Sequence, residues 1–318
     1  MNDALRQRWM PELALLAVVL IWSTTWIASK AVLGHIGPGA FLPARFIGMT
    51  LLAWTVLHFR YSRNRAAIRI ARSDWPRLAL GAFTGFTVNH ICSTVALSRT
   101  SVFTVSLLIA LIPLFTMVIM VVQGEALPPF AWPGVIVALI GVAIFLSDKE
   151  RAGDSLLGIV LCLGAAGAFA VYGLVNRPLV RTYPPQILAS WQLLIGTLPL
   201  LIFGLPRMFA ADWIDLPLRI WLAFGFVIIF PVYIAYQLWN FGIAHRGAAV
   251  ASSLGLLVPV LSAVMAALVL DEQLSVLKFA GALMVIIGLL IIRMPANWRQ
   301  RGIGAASHPL AAPAKEVN

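Results

Sequence analysis

The chain has 318 residues, of which 61% are hydrophobic and only 11% charged, against about 25% charged in an ordinary soluble domain. That leaves too few polar residues to cover a soluble globule and too many apolar ones for a disordered chain. The net charge of +11 is spread between apolar blocks, which points to a membrane rather than to nucleic acid.

A membrane crossing needs about 20 mostly apolar residues to span a hydrocarbon core of roughly 30 Å. Runs bounded by charge, Pro or Gly predict ten spans, near 13–34, 40–59, 77–97, 101–122, 130–147, 156–176, 185–204, 219–243, 248–270 and 276–293. Open strand edges cannot be satisfied in lipid and the alternation of a barrel is missing, so the expected fold is an all-α integral membrane protein. Span one follows Arg6 and Arg8, but it is too long for a typical signal-peptide core and has no clear cleavage site. Only Ser98-Arg99-Thr100 separates spans three and four. Cys92 and Cys162 are far apart within apolar runs and suggest neither a disulfide framework nor a metal site. Trp9, Trp75, Trp213, Trp221 and Trp298, near span ends, read as interfacial anchors. Residues 296–318, with several Pro and Ala, read as a loose cytoplasmic tail.

Orientation follows from the cations. With the N-terminus in the cytoplasm, fifteen Lys and Arg fall on inside segments, among them the cluster Arg60, Arg63, Arg65, Arg69, Arg72 and Arg77. Seven fall outside: Lys30, Arg99, Lys149, Arg151, Arg207, Arg219 and Lys278. This imbalance predicts both termini in the cytoplasm, at a cell (inner) membrane. The arginine cluster reads as a topology anchor against anionic headgroups.

Shifting the chain by 147 residues superposes Lys30 on Arg177, Pro38 on Pro185, Arg99 on Arg246, Glu125 on Glu272, Leu127 on Leu274, Gly134 on Gly281 and Gly141 on Gly288. The prolines Pro113 and Pro259 are one residue out of step. Such a repeat predicts two units, 1–150 and 151–295, of five spans each. An odd number of spans per unit gives the units opposite orientations, the inverted-repeat plan of many transporters, with a substrate site between them near the midplane.

The halves resemble the paired EamA domains of the drug/metabolite transporter superfamily. The likeness rests on Ile21-Trp22-Ser23-Thr24-Thr25-Trp26 with Lys30, on Ala44-Arg45-Phe46, and on the end of each half. There a helix containing Pro113 or Pro259 precedes Gly124-Glu125-Ala126-Leu127 or Asp271-Glu272-Gln273-Leu274 and a Gly-rich last helix. The resemblance covers about residues 11–293. It implies ten transmembrane helices in a 5+5 inverted repeat and transport of amino acids, other metabolites or drugs.

Polar side chains at membrane depth are costly and mark candidate sites. In span eight, Tyr233, Tyr236, Gln237 and Asn240 share one helical face, and Pro231 before them should kink the helix and free a carbonyl. Their repeat mates are Phe86, Asn89, His90 and Ser93 in span three. Span one carries the same spacing as Trp22, Thr25, Trp26 and Ser29, with mates Phe169, Tyr172, Gly173 and Asn176 in span six. Four related stripes suit a cavity between the halves; they also suit interhelical bonding. The predicted substrate-binding residues are Trp22, Thr25, Trp26, Ser29, Asn89, His90, Tyr172, Asn176, Tyr233, Tyr236, Gln237 and Asn240.

Arg45, whose mate is Gln192, could meet a substrate carboxylate or could instead snorkel or bond helix carbonyls. The resemblance favours the structural role, because Arg is common at this place whatever the substrate. His90 reads as a hydrogen-bonded bundle residue or a proton carrier. Lys30 sits at a span end, where it should matter little to stability. The acidic residues all lie in loops, helix ends or tails, which favours facilitated transport or exchange over strict proton coupling. No paired carboxylates, metal cluster or phosphate loop suggests an enzyme or a cofactor. The expected function is a secondary transporter exporting a small metabolite, amino acids or related amphipathic compounds first, with that molecule and the lipid bilayer as partners. Transport of a drug-like cation or a nucleotide sugar, an intramembrane lipid-acting enzyme and a passive channel are the rivals.

Overall fold

The computed structural model describes residues 3–148, 153–273 and 275–294, and their regular structure is entirely helical. The expected tail, 296–318, and Trp298 lie outside the described residues. Helix α1 (Asp3–Arg60) is two helices meeting at Gly37, whose φ of 67° and ψ of 165° break the helix. Glycine takes that conformation without a Cβ clash, and the ring of Pro38 disfavours α-helical geometry at the residue before it. The rest of the first half is α2 (Trp75–Ala82), a π-helical turn (Phe83–Val88), α3 (Asn89–Leu97), α4 (Val102–Ile109), α5 (Ile112–Val122) and α6 (Ala131–Ser147). The second half holds α7 (Leu156–Asn176), α8 (Leu179–Thr182), α9 (Pro185–Phe209), α10 (Leu218–Ile229), a π-helical turn (Phe230–Ile234), α11 (Ala235–Gly255), α12 (Leu257–Leu270) and α13 (Val276–Ile292).

Among the described residues, seven helical stretches are long and apolar enough to cross a bilayer, with α1 counted once, and α6 and α13 are shorter apolar helices. The loop expected at 244–247 is helical, inside α11. No proline interrupts it, and Ala248, at the mate of Ser101, offers no hydroxyl to start a new helix. At the corresponding place in the first half, the Ser101 side chain accepts from the Thr104 N–H and starts α4.

Contacts recur under the 147-residue offset. Thr50 and Thr197 are exact mates, and their hydroxyl oxygens lie 2.9 Å apart. A residue that touches its own mate marks a twofold axis. Helices α6 and α13 meet the same way. A Cβ added at Gly134 would come within 2.6 Å of Gly288 O, and one at Gly281 within 2.7 Å of Gly141 O. These contacts are images of each other, and rising numbers meet falling ones, so the two helices pack antiparallel. Glycine is required because backbone meets backbone.

Two ion pairs among the described residues stand outside this symmetry: Arg246–Glu12, whose mates would be Arg99 and Ile159, and Lys278–Asp154. Lys278 and Asp154 are 1% and 8% exposed, and Lys278 Nζ binds Asp154 Oδ2. Asp154 also accepts from the Ser101 N–H (2.7 Å) and the Thr104 hydroxyl (2.6 Å), and the Phe145 ring lies 4.9 Å from Lys278 Nζ. The mates of the pair would be Gln7 and Ala131, which cannot form one.

Replacing Gly141 by Val should force α6 and α13 apart, because even the new Cβ would sit 2.6 Å from Val285 N. Overpacking of this kind costs about 1–3 kcal/mol. A clear fall in melting temperature of the detergent-purified protein is expected; an unchanged value would contradict the close crossing.

Candidate functional site

Prolines set the shape of the site. Proline has no N–H to give the carbonyl four residues before it. Helix α4 ends at Ile109, four residues before Pro113, and α11 ends at Gly255, four before Pro259. Spans four and nine are therefore broken helices. Ile109, Ala110 and Ile112 beside one break, and Gly255, Val258 and Pro259 beside the other, line a cavity of about 360 Å³. Broken helices in a membrane are tolerated where they face a cavity, and many transporters bind substrate at such breaks.

All four stripe residues of span one, Trp22, Thr25, Trp26 and Ser29, line this cavity, with Asn89, His90 and Ser93 of span three, Phe169 of span six and Tyr236 of span eight. Arg45 and Ser106 complete its polar wall. His90 packs edge-on to the Phe46 ring at 4.9 Å. Ser106 and the two breaks were not marked by a polar stripe; the one-residue slip between Pro113 and Pro259 was their signal.

The expected kink at Pro231 is a π-helical turn. Val227 O, four residues back, loses its helical donor, and Arg45 Nε donates to it at 3.3 Å. Trp22 Nε1 donates to Pro231 O (3.3 Å) and the Ser23 hydroxyl to Val258 O (3.2 Å). The other π-helical turn begins at Phe83, the mate of Phe230. It contains no proline of its own. Such turns concentrate at functional sites.

The remaining predicted residues do not reach the deep cavity. Tyr172, Tyr233, Gln237 and Asn240 line a second pocket of about 80 Å³ with Arg60, Tyr61 and Gln186. Tyr236 lines both spaces, and its ring meets the Trp22 indole edge-on at 6.3 Å. Gln237 and Asn240 make no side-chain hydrogen bond to the protein among the described residues. Asn89 and Asn176 do. Asn89 Nδ2 donates to Ala165 O (2.9 Å). Asn176 is buried off both pockets and accepts from Gln192 Nε2 at 2.7 Å. Cavity lining and interhelical bonding thus divide the stripes residue by residue.

Two ion pairs join the halves at mated positions. Lys30 Nζ meets Glu272 Oε1 at 2.7 Å, and Arg177 Nη1 meets Glu125 Oε2 at 3.1 Å. Lys30, expected to matter little, also donates to Thr100 O (2.7 Å), while Glu272 accepts from the Val102 N–H (3.0 Å). The pairs sit at opposite ends of the bundle. Arg177 belongs to the end where Tyr183 donates to Asp74 and Trp191 to Ile68 O, beyond Arg60, whereas Lys30 lies near the Gly37 turn. Lys30 and Glu272 are 30% and 13% exposed, Arg177 and Glu125 45% and 42%. An exposed pair contributes about 0–1 kcal/mol, so the Lys30 lock is the firmer.

The EamA-like transporter family matches this chain twice, over residues 9–147 and 156–294, the same 147-residue shift that relates the contacts. The chain belongs to the EamA-like transporter family. It is a multi-pass membrane protein of a transporter family. An uncharacterized transporter of Archaeoglobus fulgidus is 28% identical over 88% of this chain and 97% of its own length. A protein of Escherichia coli (strain K12) described as a probable amino-acid metabolite efflux pump is 25% identical over 90% of this chain and 95% of its own. A Salmonella typhimurium protein of the same description is 25% identical over 87% and 92%. One chain of known crystal structure superposes with a TM-score of 0.61 at 20% identity, over 88% of this chain and 94% of its own. It shares the fold.

Asn176→Ala should lower stability by about 1–3 kcal/mol, because Gln192 is left with an unmet buried donor. Gln237→Ala should leave the melting temperature unchanged. Equal losses in both variants would return Gln237 to the interhelical bonds.

Proposed function

We propose that the protein is a secondary transporter that exports a small amphipathic metabolite by alternating access, amino acids or related compounds first. The observation that carries this reading is the pair of mated ion locks, Lys30–Glu272 and Arg177–Glu125, at the two ends of a bundle with a cavity between them. Opening one end while closing the other exchanges the roles of the halves, and mated locks are what that exchange requires. The description of the Escherichia coli and Salmonella relatives as efflux pumps supports export. Ten crossings follow if Gly37 divides α1 into two and the 17-residue helices α6 and α13 each cross. Opposite orientation of the halves, both termini in the cytoplasm and an inner-membrane location complete the reading, with the Lys30 lock on the outer face.

In this scheme the substrate enters from the Arg60 end through the pocket of Gln237 and Asn240, passes Tyr236 and Trp22 into the deep cavity, and leaves outward past Lys30. Aromatic rings suit an apolar or ammonium moiety, and the amides orient polar ends.

Breaking either lock tests the scheme. Spin labels at Ser98 and Gln273, which flank Lys30, should move apart in Glu272→Gln. Labels at their mates, His245 and Ala126, should move apart in Glu125→Gln instead. Exchange of a labelled amino-acid mixture by reconstituted vesicles should fall several-fold in both variants, and Lys30→Glu with Glu272→Lys should restore it. Unchanged distances at both ends, with normal exchange, would overturn alternating access through these locks.

A further inference from the structure

We infer that the deep cavity is a carboxylate site, in which the Arg45 guanidinium binds an acid group of the transported molecule. This rests on the transporter reading above and narrows its substrate to small molecules carrying one carboxylate. Arg45 is 6% exposed and lines the cavity. Its Nε is engaged by Val227 O, which fills the structural role that the sequence suggested for this residue. Its two terminal nitrogens make no hydrogen bond to the protein among the described residues, and its charge is met only by the Phe41 ring at 5.7 Å.

No Asp or Glu lies on the cavity wall among the described residues; the wall offers hydroxyls, amides and rings. A buried cation at membrane depth normally pairs with an anion, and this one faces an open space in place of a partner. The mated position makes the contrast. Gln192 is fully buried and accepts and donates within its own half, to Asn176 and Tyr172. The repeat is satisfied there and left open at Arg45.

The planar guanidinium presents two parallel donors that fit a carboxylate. A single cation matches a monoanion better than a diphosphate. The same cavity is lined by Trp22 and Trp26, whose rings suit an ammonium or an apolar body, and by Thr25 and Ser29, which carry hydroxyls. The volume of about 360 Å³ lies at the small end of ligand pockets.

The test uses the full chain in detergent and two matched series built on the phenylalanine and leucine side chains. Each series contains the amino acid, its amide, the amine lacking the carboxylate, and the acid lacking the amine. Binding is read by thermal shift and calorimetry. The acids of at least one series should bind ten-fold or more tightly than the amide and amine, and Arg45→Gln should erase that preference. Arg45→Lys keeps the charge but not the fork; it should fold and lose several-fold in acid preference, which preserves the test if Arg45→Gln does not fold. An amide or amine that binds as well as its acid, an acid preference untouched in Arg45→Gln, or no binding by any acid would each overturn the proposal. Acid binding without exchange across vesicles would sink the transporter reading and leave the anion site. Amine exchange equal in wild type and Arg45→Gln would do the reverse.

Discussion

Hydrocarbon offers no hydrogen-bond partner, so each backbone group freed by a break in a helix must be answered by the protein or face a cavity. The breaks in spans four, eight and nine all reach the central cavity. Beside the breaks of spans eight and nine, side chains of the first half donate to carbonyls of the second. Arg45 serves Val227 O, Trp22 serves Pro231 O and Ser23 serves Val258 O. These bonds fix the angle at which the helices of one half meet the other. The cavity is the space the breaks leave once they are satisfied.

Much of the architecture was legible because lipid makes apolar runs long and sharply bounded. The repeat was legible because six identities and one close match, Lys30 with Arg177, share one offset. It named the mates Lys30 and Arg177, and Glu125 and Glu272. It could not say that each cation pairs with the acid of the other half, since that depends on how the halves dock. Lys30 was consequently undervalued. Helical spacing gave the faces that Asn176 and Gln237 occupy but not what opposes them: Gln192 for one and an open pocket for the other. The π-helical turn at Phe83 has no proline, and its only trace was the position of Pro231 one repeat later.

Symmetry and chemistry part company at the site. Thr50 with Thr197, and the glycine contacts of α6 with α13, hold the halves at a common axis and say nothing about a ligand. What a ligand would meet is the part of the repeat that has diverged. Arg45 stands opposite Gln192, Trp22 opposite Phe169 and His90 opposite Gln237. A symmetric frame with an asymmetric lining separates what holds the halves together from what a bound molecule would meet.

The unmatched Asp154–Lys278 pair has a thermodynamic consequence. When two access states are related by exchanging the halves, a contact that is its own image contributes equally to both and drops out of their equilibrium constant. Contacts without an image weigh on it, as do mated contacts of unequal strength. Asp154–Lys278 is buried at the Lys30 end and has Gln7 and Ala131 where its counterpart would stand. Arg246–Glu12, whose mates would be Arg99 and Ile159, is unmatched at the other end and is about a third exposed, so the balance between such states would be set by the difference between a buried pair at one end and a half-hydrated pair at the other.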